Sequence, residues 1–136
     1  MIARGIRCRN PGNIRLGQPW LGLVSNPDEL DFCTFESAEF GIRALCRLLL
    51  TYHRKHGLDT IHSIINRYAP DIENDTSAYQ YHVASCMDVG INQCLDLTNP
   101  NVMRSLIKAI ILHENGSCPY DVEIDKGMVM AGLKLT

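Results

Sequence analysis

The segment His113-Glu114-Asn115-Gly116 places a carboxylate in the last turn of an apolar helical stretch. That end of a helix is negative, and lysine or arginine is favoured there. The stripe preceding it, Val102, Met103, Leu106, Ile107, Ile110 and Ile111, is strongly apolar, so partial desolvation of Glu114 is expected. Both influences favour a protonated carboxyl, the state a general acid for glycoside cleavage requires. A solvated glutamate at a fraying helix end would read the same way. Glu36 and Glu39 are therefore the alternative acids, although at a helix start they also serve as favourable dipole partners.

Two further polar concentrations accompany it. Tyr68-Ala69-Pro70 is followed by Glu73-Asn74-Asp75-Thr76 and Tyr79. A tyrosine at a helix end either completes a buried face or orients a substrate through its hydroxyl. Asn10-Pro11-Gly12-Asn13-Ile14-Arg15 is rich in turn formers, and its amides and arginine suit the lining of a polar cleft. Trp20 is either hairpin core or a sugar-stacking platform. Asp28, Glu29 and Asp31 offer a second carboxylate, though hairpin turns attract such residues anyway.

These residues need elements to hold them. Trp20–Val24 and Leu30–Phe35, separated by Asn26-Pro27-Asp28, predict a small β-hairpin. From Ser37 the apolar period becomes helical: Phe40, Ala44, Leu45, Leu48, Leu49 and Tyr52, ended by Gly57. Asp59 or Thr60 caps a second helix with Ile61, Ile64, Ile65 and Tyr68, closed by Pro70. Asp75 or Thr76 caps a third, carrying Tyr79, Val83, Cys86 and Met87 and ending near Gly90. Asn99-Pro100 opens a fourth that runs to Gly116. A fifth spans Val122 to Leu133. The expected fold is mainly α, about five helices with one N-terminal hairpin in a single domain over 1–136.

The chain has 136 residues, 46% hydrophobic and 21% charged, with a net charge of −2. This composition supports one packed core. It gives no basic excess that would advertise a nucleic-acid partner. Its longest apolar run is far short of a membrane span, and the N-terminus has no apolar signal core. No CxxC pair or zinc-ligand spacing occurs among the six cysteines and five histidines, so neither metal nor cofactor is expected. Cys46 reads as a buried small hydrophobe.

Arg4-Gly5-Ile6-Arg7, Asn10 through Arg15, Trp20-Leu21-Gly22 and Phe35 through Leu45 resemble small phage virion-associated and prophage-encoded proteins. Arg67-Tyr68-Ala69-Pro70, Glu73-Asn74-Asp75-Thr76 and His113-Glu114-Asn115-Gly116 continue that resemblance. A second resemblance is to the flagellar-type N-acetylglucosaminidases and lytic transglycosylases of the lysozyme superfamily. Asn13-Ile14, Trp20-Leu21-Gly22, Phe32 to Gly41 and Tyr68-Ala69 to Tyr79 follow the order of that family's motifs. The glutamate helix, which opens the family's domain, stands here at the back, in Ile107 to Gly116.

This implies a circularly permuted lysozyme-like domain whose N- and C-terminal parts lie together. It implies cleavage of peptidoglycan glycan strands, as a muramidase, N-acetylglucosaminidase or lytic transglycosylase. Glu114 would be the acid and Tyr68 the group that positions the sugar or stabilises the anomeric charge. Asn13, Arg15, Trp20, Asn115 and Tyr79 would contact substrate. It further implies that Cys8 and Cys118 are neighbours able to pair in an oxidising periplasm, with Cys86 and Cys94 pairing across the loop after the third helix. The partners implied are peptidoglycan and either a virion or secretion component or an immunity protein, with no nucleic acid and no membrane. Synthesis in the cytoplasm would precede action at the cell wall, in phage lysis or entry or as a delivered antibacterial effector. The alternative is a non-catalytic phage structural or cell-wall-binding module.

Overall fold

The computed structural model describes residues 1–27, 29–72 and 75–135. It is mainly helical: α1 (Arg4–Arg7), α2 (Ala38–His56), α3 (Ile61–Tyr68), α4 (Thr76–Met87), α5 (Pro100–Asn115) and α6 (Val122–Met130). Local chemistry accounts for most boundaries. The Ser37 side chain accepts from Phe40 N at the start of α2, and Gly57 ends that helix in the left-handed region at φ 64°. Thr60, not Asp59, caps α3 in a reciprocal box with Ser63. Asp75 caps α4 by accepting from Ala78 N. Asn99 accepts from Asn101 N and Val102 N, Pro100 takes the first turn of α5, and Gly116 closes it at φ 76°.

Three boundaries differ from expectation. The single turn α1 has no side-chain cap and no apolar period to announce it. α4 ends at Asp88, which adopts φ 56°, rather than near Gly90; a short polar side chain tolerates that conformation. α6 stops at Met130 rather than Leu133. Gly132, at φ 95°, turns the chain, and Leu133 N bonds back to Met128 O. Leu133 keeps its buried position outside the helix.

The expected hairpin is reduced to two isolated antiparallel bridges, Arg15 with Phe32 and Leu23 with Phe35, and no strand forms among the described residues. The stretch 31–36 bonds first to 14–16, through Leu16 N to Asp31 O and Cys33 N to Ile14 O. It then bonds to 22–24, through Val24 N to Thr34 O and Glu36 N to Gly22 O. Positive φ values at Asn13, Gly17 and Gly22 turn the chain too often for a continuous ladder. Asp28, in the expected turn, lies outside the described residues, as do Glu73 and Asn74.

α2 is the core helix. Its Ile42, Leu45 and Leu49 are fully buried, and its most extensive contacts are with α6. The two helices approach so closely at Gly127 that a Cβ there would lie 2.6 Å from Ile42 Cγ2. α5 buries Met103, Leu106, Ile107, Ile110 and Ile111 against α4 and against the α2–α6 pair. Between α4 and α5, the Tyr79 and His113 rings stack with centroids 3.7 Å apart. His113 Nδ1 lies 2.7 Å from His82 Nδ1. Burial, and next the neighbouring His82, hold the His113 imidazole below its usual value, while Glu114 acts in the opposite sense.

All six cysteines are free thiols. The Cys8–Cys118 and Cys86–Cys94 pairings are therefore not formed. Cys8 is buried, Cys118 is half-buried, and Cys86 and Cys94 are exposed. Cys46 sits in the core with its thiol pushed up to about 12 by desolvation.

Two outcomes follow from this packing. An added Cβ at Gly41 would stand 2.1 Å from the Arg9 carbonyl oxygen. Gly41→Ala should therefore destabilise the protein by about 1–3 kcal/mol in urea titration, although helix propensity alone favours alanine by about 1 kcal/mol. The second concerns pH. Unfolded His113 takes up a proton near pH 6.5, whereas the folded residue does so only at lower pH. Stability should therefore fall as pH drops below about 6.5, until the folded residue itself titrates. Melting temperatures between pH 7.5 and 4.5 should show this slope in the wild type and a flatter one in His113→Gln.

Candidate functional site

The site begins with the turn Asn10 to Asn13. Asn10 is 1% exposed. Its amide nitrogen donates to Ile14 O and Cys33 O, and its oxygen accepts from Ile14 N. All three bonds fix the turn from inside, because a buried amide left unpaired is costly. Asn13 takes φ 52°, a conformation asparagine tolerates, and projects its side chain toward the end of α5. There Asn13 Nδ2 donates to Glu114 Oε1 at 2.8 Å. Next to it, Asn115 Nδ2 donates to Pro11 O at 2.7 Å and to Ile111 O at 3.0 Å. The N-terminal turn and the C-terminal end of α5 are thus joined by side chains more than a hundred positions apart.

Glu114 is held from a second side. Tyr79 OH donates to Glu114 Oε2 at 2.7 Å. Each carboxylate oxygen therefore has one neutral donor, one from the loop and one from α4. Glu114 lines a cleft of about 520 Å³ together with Arg4, Gly12, Asn13, Ile14, Arg15, Phe32, Leu48, Tyr52, Tyr68, Ala69 and Pro70. Among the described lining residues it is the sole carboxylate.

Tyr68 lies in the same lining, and its hydroxyl donates to Gly12 O. A Cβ at Gly12 would reach within 2.7 Å of that hydroxyl, so the glycine makes room for the tyrosine. Burial above all, then the charge of Glu114, pushes the Tyr68 hydroxyl well above the ordinary tyrosine value. Tyr79 is raised for the same first reason, with Tyr68 and Glu114 adding to it. Both stay neutral, and each can act as a donor or a lone-pair acceptor.

The expected site residues therefore divide. Glu114, Tyr68, Asn13 and Arg15 line one cleft. Tyr79 is 1% exposed and stands behind Glu114 as a positioning residue rather than in the lining. Asn115 likewise holds the turn and does not line the cleft. Trp20 is placed elsewhere: it is half-buried and lines a separate hollow with Gln18, Pro19, Leu21 and Arg43. Glu36 and Glu39 stand at the start of α2 and line neither. Glu29 pairs with Arg7, and Asp31 is exposed outside the cleft.

Sequence reading missed Arg4, Phe32, Leu48 and Tyr52. Phe32 is covered by two guanidiniums, with Arg4 Cζ 3.4 Å and Arg15 Cζ 4.6 Å from the ring centroid. Leu48 and Tyr52 belong to the apolar period of α2 and carry no separate signal. Among the described residues, no group of three histidine, cysteine, aspartate or glutamate side chains converges to hold a metal. No helix among them is long and apolar enough to cross a membrane.

No family model matches the chain. Over 130 residues it is 42% identical to Protein P5 of Pseudoalteromonas phage PM2, an alignment that covers 92% of this chain and 79% of the relative. That span includes almost the whole fold described above, and the chain belongs to the same family as this phage protein.

Proposed function

We propose that the protein cleaves the glycan strand of peptidoglycan, with Glu114 as general acid, in the setting of a phage infection. The observation that carries this reading is the placement of Glu114: a carboxylate at a helix end, held by Asn13 and Tyr79, opening onto a cleft of about 520 Å³. A cleft of that size suits one or two sugar rings. The bonds from Asn13 and Tyr79 orient the carboxyl, while Tyr68 offers a neutral oxygen. Because the Tyr68 proton is directed at Gly12 O, what remains for a ligand is a lone pair. A lone pair suits the positive charge that develops at an anomeric carbon.

Paired-carboxylate glycosidases carry their second acid about 5–10 Å from the first. The described lining residues include no such partner. The second group is then either a carboxylate outside that lining or the substrate itself, through its acetamido oxygen or an intramolecular hydroxyl that leaves an anhydro end. The joining of the Asn10–Asn13 turn to the end of α5 supports a permuted lysozyme-like arrangement, in which the glutamate helix lies beside the chain's beginning. Kinship with a phage protein supports phage lysis or entry over delivery by a secretion system.

Purified sacculi digested with wild type and with Glu114→Gln, followed by mass spectrometry of the products, test this reading. Wild type should release soluble fragments, and the variant should lose about 10²–10⁴-fold in rate, the usual contribution of a general acid. Equal release by both proteins would remove Glu114 from the reaction. No release by either, with retained binding to sacculi, would make the protein a cell-wall-binding module. Tyr79→Phe keeps the ring stack on His113 but loses the donor to Glu114. Its kcat should fall roughly tenfold, the worth of one hydrogen bond, with KM nearly unchanged and the melting temperature lowered by a few degrees.

A further inference from the structure

Two donors hold Glu114, one from Asn13 and one from Tyr79. Tyr79 is fixed by its ring stack on His113. Asn13 is fixed differently. An asparagine amide is nearly symmetric in shape, and its two ends differ only in what they bond. Turned over, the Asn13 amide would oppose its own oxygen to a carboxylate oxygen. Its oxygen end faces α1. Arg4 Nε donates to Asn13 Oδ1 at 3.4 Å, and a Cβ at Gly5 would stand 3.1 Å from the same oxygen. The Arg4 bond is long, but a guanidinium carries only donors and never loses its charge. It attracts the oxygen end of the amide and repels the NH2 end. Arg4 Cζ also lies 3.4 Å from the centroid of the Phe32 ring, so the side chain has an apolar partner as well as a polar one.

We propose that Arg4 is a positioning residue: by holding Asn13 Oδ1 it directs Asn13 Nδ2 at Glu114. The directed donor counts most once Glu114 has given its proton to the leaving sugar, because a hydrogen bond to a charged oxygen is the stronger kind. This rests on the reading of Glu114 as the acid and adds the residue that orients its support.

Exchange of the Asn13 side-chain amide protons with water, followed by heteronuclear NMR, reads that orientation without turnover. Asn13→Gly, which tolerates the φ of 52° at this position, assigns the signal by removing it. The protons should exchange slowly in the wild type and in Arg4→Lys, which keeps a donor-only cation. In Arg4→Met, which keeps an apolar stem for Phe32 but has no donor, exchange should be roughly tenfold faster, the worth of one hydrogen bond. In sacculus digestion Arg4→Met should lower kcat roughly three- to tenfold with KM nearly unchanged, and Arg4→Lys should restore most of the loss. In the Asn13→Gly background, Arg4→Met should change kcat no further. Unchanged exchange in Arg4→Met overturns the inference, as does an equal loss in Arg4→Lys and Arg4→Met. A further loss in the Asn13→Gly background overturns it as well, because Arg4 would then act on the acid or the sugar directly. The two readings fail separately. Arg4-dependent exchange in a protein that cuts nothing overturns the catalytic reading alone. Arg4-independent exchange in a protein that cuts through Glu114 overturns this inference alone.

Discussion

Everything at the cleft depends on the docking of the Asn10–Asn13 turn onto the end of α5. Two side-chain bonds make the joint: Asn13 to Glu114, and Asn115 to the Pro11 carbonyl. Neither would hold if the turn were soft. Asn10 makes it rigid by satisfying three backbone groups from a buried position, where water cannot substitute. Close packing adds to this. The carbonyl of Arg9 rests on Gly41 of α2, and Gly5 rests against the Asn115 and Asn10 oxygens, so no side chain larger than hydrogen fits at either place without movement. The result is a loop that behaves as part of the helical core.

The electrostatic character of the cleft follows from that closure. Burial keeps Tyr68 and Tyr79 neutral, so the acid is surrounded by hydrogen-bonding dipoles rather than by opposing charges. The guanidiniums of Arg4 and Arg15 stand over the ring of Phe32. Fixed dipoles around a carboxyl group are a form of preorganisation, in which folding bears the ordering cost before a ligand arrives. Next to Tyr79, the His82–His113 contact shows the opposite situation: two titratable rings meet at an exposed seam.

The helices were legible because their signals are local. Ser37, Thr60, Asn99, Gly57 and Gly116 each act on the backbone within a few residues, so type and spacing suffice to place them. Apolar periodicity likewise assigns Leu45, Ile64 and Ile107 to the core. Boundaries went astray where a second local solution was available, at Asp88 and Gly132. The hairpin went astray for a different reason. The stretch 31–36 divides its hydrogen bonds between 14–16 and 22–24, whereas the expected hairpin paired it with Trp20–Val24 alone. The six thiols stand free, and which of them could meet is a property of the fold that spacing along the chain does not contain.

By itself the sequence determined five helices, most of their caps, one buried face for each, and an acidic residue in an unfavourable place at the end of α5. Those features come from interactions within one or two helical turns. Only the tertiary structure decided which groups would answer that acid. Asn13 lies 101 positions from Glu114 and Tyr79 lies 35 positions away. Phe32 and Arg4 come together from a loop and from α1, and Trp20, which shares their neighbourhood in sequence, faces another hollow. Side chains so distant meet only after the core has set the helix positions, because their mutual attraction is far weaker than the burial that brings them together.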